Sequence, residues 1–386
     1  MAKTIIDGSV LEGGGQILRN TIALSGLLGK PVTIQNIRAG RQQPGLKNQH
    51  RTGLELAAAI ASAELIGASN GSSEVHFTPG TSTDSTQSTT HCEADSVTAG
   101  ATALLFQISL PLLLFGDRTR TLTLKGGTNA TQAPQVDYTR HVLLPMLRHF
   151  GLPDVQLDIK RRGYFPKGGG ELFVQIEPIA GPLRAIRLSE RGNVRSIKGI
   201  AHFAGLPGHI GRDMVKGAMD KLKEAGYSES QVDIEYKRER DDNTVGGGSG
   251  LVLWAELDGG ETLGASAVGR KAIKATKLGE EAAAVLINQI NAGGCVDEVC
   301  ILELDSRFLV NQRDQKWLQD QLIIFMALAE GDSEVLCGQG GLKLHTKTAI
   351  WVMEQLTEAK FEVEEVSTGH TILRCRGIGY KLAGGQ

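Results

Sequence analysis

The sequence predicts an α/β protein in which one strand–helix unit is repeated and a smaller α/β domain is inserted into the last repeat. Three observations predict this fold class. Glycine clusters recur beside apolar segments at 13–15, 168–170 and 338–341. Strand-like and helix-like patterns alternate in the same order twice and resume near the C-terminus. From about Leu188 to Ile290 the chain instead carries strands and helices of its own.

Length and composition support this division. With 386 residues, the chain is longer than one average domain. We place a large repeat-built domain at 1–185 and 291–386, and a small α/β domain at 186–290. The hydrophobic content of 41% is sufficient for a sizeable core. The formal net charge of −2 argues against a surface that coats a polyanion, but it is compatible with a local nucleic-acid site.

Cysteine usage and the N-terminus predict the compartment. The five cysteines are odd in number and form no Cys-x-x-Cys pair, which argues against a disulfide framework or a zinc ribbon. The N-terminus lacks the apolar run of a signal peptide, and no long uncharged apolar stretch would span a bilayer. We expect a soluble intracellular protein with no membrane partner, in the nucleus if the source is eukaryotic and otherwise in the cytoplasm.

Hydrophobic periodicity predicts the repeated elements, with helices on one side of the sheets. In the first repeat we predict strands over 3–7, 32–37 and 74–77, a glycine turn over 13–15, a helix from Ile17 and a helix over 46–66. In the second we predict helices over 97–115 and 136–150 and strands over 121–124, 155–160 and 172–176. In the last we predict helices over 318–329 and 346–359 and strands over 334–337 and 361–366.

The inserted segment has its own pattern. We predict strands over 197–203, 232–236 and 251–257 and helices over 212–225 and 278–289. The polar, glycine-rich stretch 238–250 is typical of a mobile loop.

Glu12 precedes the first glycine cluster, and the helix that follows opens at Gln16. A carboxylate in this position suits a divalent metal on a bound nucleotide, with backbone N–H groups facing phosphate. The spacing matches neither a Walker A loop nor a Rossmann fingerprint. Taken alone, the cluster is equally compatible with a plain glycine turn.

Arg38 and Arg41 lie on one polar loop that glycine and proline constrain, close in sequence to Lys47, His50 and Arg51. Guanidinium groups suit phosphate oxygens, so the loop is interpreted as a phosphate clamp. A solvated basic loop is the alternative.

His345 differs in context from the other histidines. It follows the third glycine cluster and precedes a helical stretch that contains Lys347. A neutral imidazole at a helix N-terminus can act as a nucleophile or as an acid or base. A structural role is the alternative, as it is for the remaining histidines considered: His76, His141, His149, His202, His209 and His370.

The segment from Arg161 to Leu172 combines three consecutive glycines and Pro166 with basic residues, which suits a tight turn facing an anion. Its basic residues are Arg161, Arg162 and Lys167. We hypothesise that they guide an anionic ligand.

Together these segments resemble the RNA 3′-terminal phosphate cyclase family, in order and over essentially the whole chain. The most specific motif is Arg-Gly-x-x-Pro-x-Gly-Gly-Gly, at 162–170. Collinear matches lie at 7–8, 12–19, 37–41, 44–46, 49–50, 99–107, 126–129, 133–134, 137–138, 318–322 and 344–346. The resemblance implies a large domain of three repeated α/β units with a small inserted α/β domain. It also implies conversion of an RNA 3′-phosphate to a 2′,3′-cyclic phosphate, with ATP consumed and AMP and pyrophosphate released.

The resemblance assigns roles to individual residues. It implies that His345 attacks ATP to give a covalent histidyl-AMP, and that Glu12 binds Mg²⁺ or Mn²⁺. AMP would pass to the RNA 3′-phosphate, and the adjacent 2′-OH would then expel it. The residues implied around the RNA phosphate are Arg19, Arg38, Arg41, Gln49 and His50. Those implied around the adenylate are Gln107, Pro134, Asp137, Tyr138, Trp317, Asp320 and Gln321.

One stretch departs from the family pattern. The family passes almost directly from a Val-Asp/Gly-Glu turn to Tyr-Leu-x-Asp-Gln-Leu, whereas residues 299–316 are interposed here. Trp317 stands where the family has tyrosine; it can stack on adenine but lacks the hydroxyl group.

Two alternative functions remain. A non-catalytic branch of the family serves ribosome biogenesis and rRNA processing, but it lacks the nucleophilic histidine, so His345 favours the enzyme. An enolpyruvyl-type transferase of related repeat architecture could hold anionic substrates with the loop arginines, although the collinear motifs favour the cyclase.

Overall fold

The computed structural model describes residues 3–80, 89–130, 133–297, 318–366 and 369–382. Its first unit contains β1 (Thr4–Asp7), α1 (Gly15–Leu28), β2 (Val32–Gln35), α2 (Asn48–Ile60), β3 (Glu64–Ile66) and β4 (Val75–Thr78). The strands form a sheet in the order β1-β2-β4-β3. The pair β1–β2 is parallel and the other two pairs are antiparallel.

The second unit has the same plan. It contains β5 (His91–Asp95), α3 (Thr102–Leu114), β6 (Arg120–Gly126), α4 (Val136–Tyr138), a π-helical turn (Thr139–Leu143), α5 (Leu144–Arg148), β7 (Gln156–Gly163) and β8 (Gly170–Ile176). The order β5-β6-β8-β7 begins with a parallel pair and continues with two antiparallel pairs, as in the first unit.

After the short strand β9 (Arg187–Leu188), the chain forms the inserted sheet. Its elements are β10 (Val194–Ala204), α6 (His209–Glu224), β11 (Val232–Arg238), β12 (Thr244–Val245), β13 (Gly248–Leu257), β14 (Thr262–Val268) and α7 (Ala275–Asn291). The sheet order is β11-β10-β13-β14, whereas β12 leaves it to pair with β7 of the second unit. Helices α6 and α7 cover one face and enclose a separate apolar core.

The third unit resumes with α8 (Gln319–Leu328), β15 (Glu330–Gln339), α9 (Leu344–Leu356), β16 (Lys360–Glu365) and β17 (His370–Ile378). Its sheet order, β9-β15-β17-β16, again begins with a parallel pair followed by two antiparallel pairs. The same topology occurs three times, so the predicted α/β fold class with three repeated units and an inserted α/β segment is confirmed.

The helices of the three units pack together. Helix α1 contacts α2, α3 and α9, while α8 packs against α9. One large apolar core spans all three units. The inserted sheet turns its second face towards this core, where Trp254 stacks on His141 with ring centroids 4.3 Å apart. The placement of the domain boundaries at 185/186 and 290/291 stays a prediction. Within the part of the chain that the structure describes, no helix combines the length and apolarity needed to cross a membrane.

Several predicted bounds are wrong for identifiable reasons. The helix over 46–66 ends at Ile60, because Ser62 takes a positive φ of 49° and the following residues pair as β3. The helix over 97–115 begins only at Thr102, since Val97 also has a positive φ and Ala101 is extended. The stretch 238–250 is not one irregular loop, because β12 and the start of β13 lie within it.

Candidate active site

The N-terminus of α1 lies at the candidate site. Gly14 occupies the N-cap position and supplies no side-chain hydrogen bond, and the first turn contains no acidic residue. The leading N–H groups of a helix lack intrahelical partners and lie at the positive end of the helix dipole. This helix end is therefore suited to an anion.

The glycines at this helix end make room for functional side chains. A Cβ on Gly14 would collide with the carboxylate of Glu12. A Cβ on Gly15 would lie 2.8 Å from His50 Nε2 and 3.0 Å from an Arg19 terminal nitrogen. Glycine is thus required here because carboxylate, imidazole and guanidinium groups all approach the helix backbone.

Glu12 is anchored from two sides. Arg41 donates to the Glu12 carbonyl oxygen at 2.9 Å and also pairs with its carboxylate, while Thr348 Oγ1 accepts the Glu12 N–H at 3.2 Å. Burial alone would raise the pKa of Glu12, but His345, Arg41 and Arg19 outweigh that effect and lower it. Glu12 is therefore a carboxylate at neutral pH.

His345 lies in the first turn of α9 and faces Glu12 across the site. Its Nδ1 is 3.2 Å from Gln16 Oε1 and 3.4 Å from Glu12 Oε2. Both neighbours are acceptors, so they favour the tautomer with the proton on Nδ1 and the lone pair on Nε2. The adjacent Thr346 donates to Gln319 Oε1 at 2.6 Å, which ties this turn of α9 to the start of α8.

Arg19 is a cationic hydrogen-bond donor of the site, and His50 is a neutral one. Arg19 Nε donates to Gln107 Oε1 at 2.6 Å. Burial lowers the pKa of Arg19, and the negative charges of Asp320 and Glu12 oppose that shift. Burial, reinforced by Arg19 and other cations, lowers the pKa of His50 to about 3. His50 Nδ1 accepts the N–H of Lys47 at 3.1 Å, so the neutral ring carries its proton on Nε2, towards Gly15.

Asp320 adds a buried carboxyl group at the start of α8. Burial raises its pKa to about 6, while His345, Arg19 and Gln16 act in the opposite direction. Asp320 shares its electrostatic surroundings with Glu12, since His345 and Arg19 act to lower the pKa of both groups. The site therefore combines one ionised carboxylate, one carboxyl group that titrates near neutrality, and several donors.

The donor set fits a divalent cation that is shared with substrate. Among the described residues, no group of three or more histidine, cysteine or acidic side chains is arranged to hold a metal. The Glu12 carboxylate offers one hard oxygen donor group, and Mg²⁺ is commonly bound by one or two carboxylates together with substrate phosphates.

Comparison with known proteins gives a consistent relationship. A profile described as RNA 3′-terminal phosphate cyclase matches residues 10–363. The chain belongs to this family. It is 38% identical over 376 residues to the RNA 3′-terminal phosphate cyclase of Drosophila melanogaster. The aligned region covers 97% of this chain and 96% of the relative. The cyclase of Pyrobaculum neutrophilum is likewise 38% identical, covering 97% and 99%. A probable cyclase of Dictyostelium discoideum is 35% identical, covering 97% and 83%.

Within this cyclase fold, most of the residues assigned to the RNA phosphate lie at one place. Arg19, Arg41 and His50 all approach the glycine turn. Arg38 is nearby but braces its own loop, because it adopts a φ of 53° and donates to the carbonyl oxygens of Gln43 and Gly45, both at 2.8 Å. Gln49 precedes His50 on α2, and its Cβ packs towards Gly100.

The residues assigned to the adenylate are more dispersed. Gln107 and Asp320 belong to the cluster around Arg19. Asp137 instead forms a buried two-point ion pair with Arg162, at 2.6 and 2.9 Å. Tyr138 is fully buried and donates to Asp297. Pro134 and Gln321 are also buried, and Trp317 lies outside the described residues. The assignment of all seven to the adenylate stays a prediction.

Sequence reasoning missed the supports of the cluster. Gln16, Gln319, Thr346 and Thr348 hold Glu12 and His345 in place but were not singled out as site residues. Two signals were present. Thr346 and Thr348 flank the histidine motif, and Gln16 directly follows the first glycine cluster. The partners of Gln16 and Thr348, however, lie more than 300 residues away in the sequence.

Proposed function

We propose that this protein converts an RNA 3′-terminal phosphate to a 2′,3′-cyclic phosphate, consuming ATP and releasing AMP and pyrophosphate. Family membership supports the general activity. The observation that carries the residue-level proposal is the orientation of His345, whose Nδ1 faces two acceptors so that Nε2 has the nucleophilic lone pair. The ionised Glu12 and the donors around α1 surround this histidine.

In the first step, His345 Nε2 attacks the α-phosphorus of ATP. A P–N bond forms and the P–O bond to pyrophosphate breaks, which leaves a covalent histidyl-AMP. The ring then carries a positive charge with its proton still on Nδ1, where Gln16 Oε1 and the Glu12 carboxylate stabilise it. Mg²⁺ or Mn²⁺, held by Glu12 and the phosphates, would neutralise charge that builds on the triphosphate.

In the second step, an oxygen of the RNA 3′-phosphate attacks the same phosphorus and His345 leaves. We place that phosphate at the N-terminus of α1, beside Arg19, Arg41 and the Nε2–H of His50. These donors fit an incoming dianion, and Arg38 fits the role of shaping the loop that presents Arg41.

In the last step, the neighbouring 2′-OH attacks the activated terminal phosphorus. The new O–P bond closes the cyclic phosphate, the bond to AMP breaks, and the hydroxyl proton passes to solvent. AMP is a better leaving group than an oxygen of the free phosphate, so adenylylation divides one difficult displacement into easier ones. A DNA end lacks the 2′-OH and would not cyclise.

The adenylate is proposed to lie on the α8 side of His345. Gln107 and Asp320 are the predicted residues whose polar groups reach the cluster. Asp137 and Tyr138 are engaged by Arg162 and Asp297, so we propose that they shape the wall of the pocket through the elements they hold.

ATP labelled at the α-phosphate tests the proposal. We expect an acid-labile, hydroxylamine-sensitive adduct on the wild-type protein that is absent from His345→Ala and retained by His370→Ala, a histidine substitution made elsewhere as a control. An RNA with a 3′-phosphate should then yield a cyclic end, whereas the same RNA ending in a 2′-deoxynucleotide should not. Lack of an adduct, or an adduct that survives His345→Ala, would contradict the mechanism.

A further inference from the structure

The glycine-rich turn at 164–169 has features that the cyclisation chemistry does not use. The segment from Arg161 to Leu172, which includes this turn, contains three basic residues, but two of them bind other residues of the protein. Arg162 is buried against Asp137 and Glu239, and Arg161 Nε donates to the carbonyl oxygen of Gly169 at 2.8 Å. What the turn presents outward is the aromatic ring of Phe165, 62% exposed, followed by the exposed Lys167.

The turn that carries Phe165 is held at both ends. Gly168 N–H donates to the Tyr164 carbonyl oxygen at 2.9 Å, and the buried Tyr164 hydroxyl group lies 2.9 Å from His202 Nδ1. On the other side, a Cβ on Gly169 would lie 3.0 Å from the side chain of Val245. The exposed ring therefore projects from an ordered turn, so little conformational entropy would be lost when a flat ligand binds it.

A second exposed apolar residue lies on the neighbouring loop. Val97 is 78% exposed and has a φ of 59°, a strained conformation for a β-branched residue. The fully buried Ser96 holds this loop, since its hydroxyl group lies 3.0–3.3 Å from the carbonyl oxygens of Thr98, Gly100 and Lys125. The two loops touch, because a Cβ on Gly168 would collide with the Thr98 carbonyl group.

These loops continue directly from the proposed RNA-phosphate site. Asn48 donates to the carbonyl oxygen of Ser96, and Gln49 Cβ lies 3.0 Å from the Cβ position of Gly100. The next residue on α2 is His50, which faces Gly15 at the phosphate site. A chain of contacts therefore leads from the proposed phosphate site through residues 96–100 to the turn that carries Phe165 and Lys167.

We infer that the RNA upstream of its last two nucleotides lies over these loops, with a base stacked on Phe165 against Val97 and a backbone phosphate beside Lys167. This inference rests on the proposed function. Single-stranded RNA is the occupant that fits best, because an exposed aromatic face beside a cation is how proteins bind unpaired bases without reading their sequence. The carboxylate nearest to Val97 in sequence is that of Asp95, and one of its oxygens accepts the Val97 N–H at 2.7 Å.

Substrates of different length test the inference. Cyclisation would be measured with a dinucleotide and a decanucleotide that share the same 3′-phosphorylated end. In Phe165→Ala we expect the KM for the decanucleotide to rise roughly 5- to 150-fold, which corresponds to the loss of one base–aromatic stack, and the KM for the dinucleotide to stay unchanged. Phe165→Tyr should retain wild-type values. Tyr236→Ala removes another exposed aromatic ring, on β11, and should leave the KM for both substrates unchanged.

Direct binding separates this inference from the proposed function. Fluorescence polarisation of a labelled decanucleotide would report affinity whether or not cyclisation occurs. We expect Phe165→Ala and Lys167→Ala to weaken binding, and Lys167→Ala also to reduce its salt dependence. Unchanged decanucleotide affinity in Phe165→Ala, or an equal loss for both lengths, would overturn the inference. Wild-type binding that depends on Phe165 but gives no cyclic product would contradict only the proposed function.

Discussion

At the scale of single residues, burial shifts two titratable groups of the site in opposite directions. Burial disfavours the charged form, so it lowers the pKa of His50 to about 3 and raises that of Asp320 to about 6. His50 is consequently a neutral donor at physiological pH. Asp320, by contrast, changes its charge within the range in which enzymes are usually assayed.

The first prediction concerns the acid limb of the pH–rate profile. As the pH falls through about 6, Asp320 takes up a proton and loses its negative charge. Its electrostatic interaction with His345 and Arg19 is then lost. We expect the cyclisation rate at pH 5 to be about tenfold below its plateau. In Asp320→Asn this limb should disappear and the rate should stay low throughout.

Steady-state rates between pH 5 and 8 measure this effect. Asp154→Asn, which changes an exposed carboxylate, serves as the control and should retain the wild-type profile. An acid limb that persists unchanged in Asp320→Asn would show that another group controls it.

The second prediction concerns Gly15. A methyl group there would meet His50 Nε2 and Arg19 within about 3 Å, so Gly15→Ala should displace both side chains from the proposed phosphate site. We expect kcat/KM to fall by roughly 10²-fold, as is typical when a positioned group is moved by about 1 Å. The melting temperature should change little, since alanine is a better helix former than glycine.

Gly208→Ala is the matched control for Gly15→Ala. Gly208 caps α6, and no atom lies within 4 Å of its Cβ position. This variant should retain full activity. If Gly15→Ala were equally active, the steric account of the first glycine cluster would be wrong.

At the scale of elements, one buried carboxylate links the two described segments that flank residues 298–317. Asp297 precedes the undescribed stretch 298–317 and Leu318 follows it, yet the Leu318 N–H donates to Asp297 Oδ1 at 3.2 Å. The same carboxylate accepts from the Tyr138 hydroxyl group and the Gly264 N–H. Burial raises the pKa of Asp297 to about 7. The start of α8 is thus held by residues on either side of the stretch.

The third prediction is that residues 299–316 can be deleted. The remaining Glu298 and Trp317 can bridge Asp297 and Leu318, since three consecutive Cα–Cα steps span up to about 11 Å. We expect the deletion variant to retain its melting temperature within a few degrees and to keep cyclisation activity. Thermal unfolding measures the melting temperature, and the oligonucleotide cyclisation assay measures the activity. A variant that folds but loses the histidyl-AMP adduct would instead assign the stretch a role in catalysis.

At the scale of the whole molecule, a buried polar network joins the inserted segment to the second unit. Arg162 of β7 pairs with Asp137 and with Glu239, which follows β11. His202 of β10 contacts Tyr164 and Gln135, and burial lowers its pKa to about 3, so it stays neutral there. The network orients the inserted sheet against the repeat-built core.

The fourth prediction follows from this network. Arg162→Ala leaves the Asp137 carboxylate buried without its cationic partner, which typically costs about 3–5 kcal/mol. Urea unfolding should show that loss. Arg195→Ala, which removes an exposed pair with Glu256, should cost less than about 1 kcal/mol. A small effect of Arg162→Ala would mean that the ion pair contributes less than its burial indicates.

The sequence by itself determined the features that depend on local pattern. Glycine clusters marked the turns, periodicity located most helices and strands, and the surroundings of Glu12 and His345 identified both as candidates for chemistry. These signals are local because backbone conformation and amphipathic spacing depend on residues within a few positions of one another. The two-residue strand β9 shows the limit of that approach, since only its pairing with β15 makes it a strand.

The tertiary structure alone decided which neighbours in sequence face the site. Arg41 pairs with Glu12, whereas Arg38 turns inward to its own loop, and Arg162 is buried while Phe165 is exposed. Gln16 meets His345 across 329 positions of sequence. Such choices depend on long-range packing of the three units, because the direction and partner of a polar side chain are set by the surfaces that folding brings together.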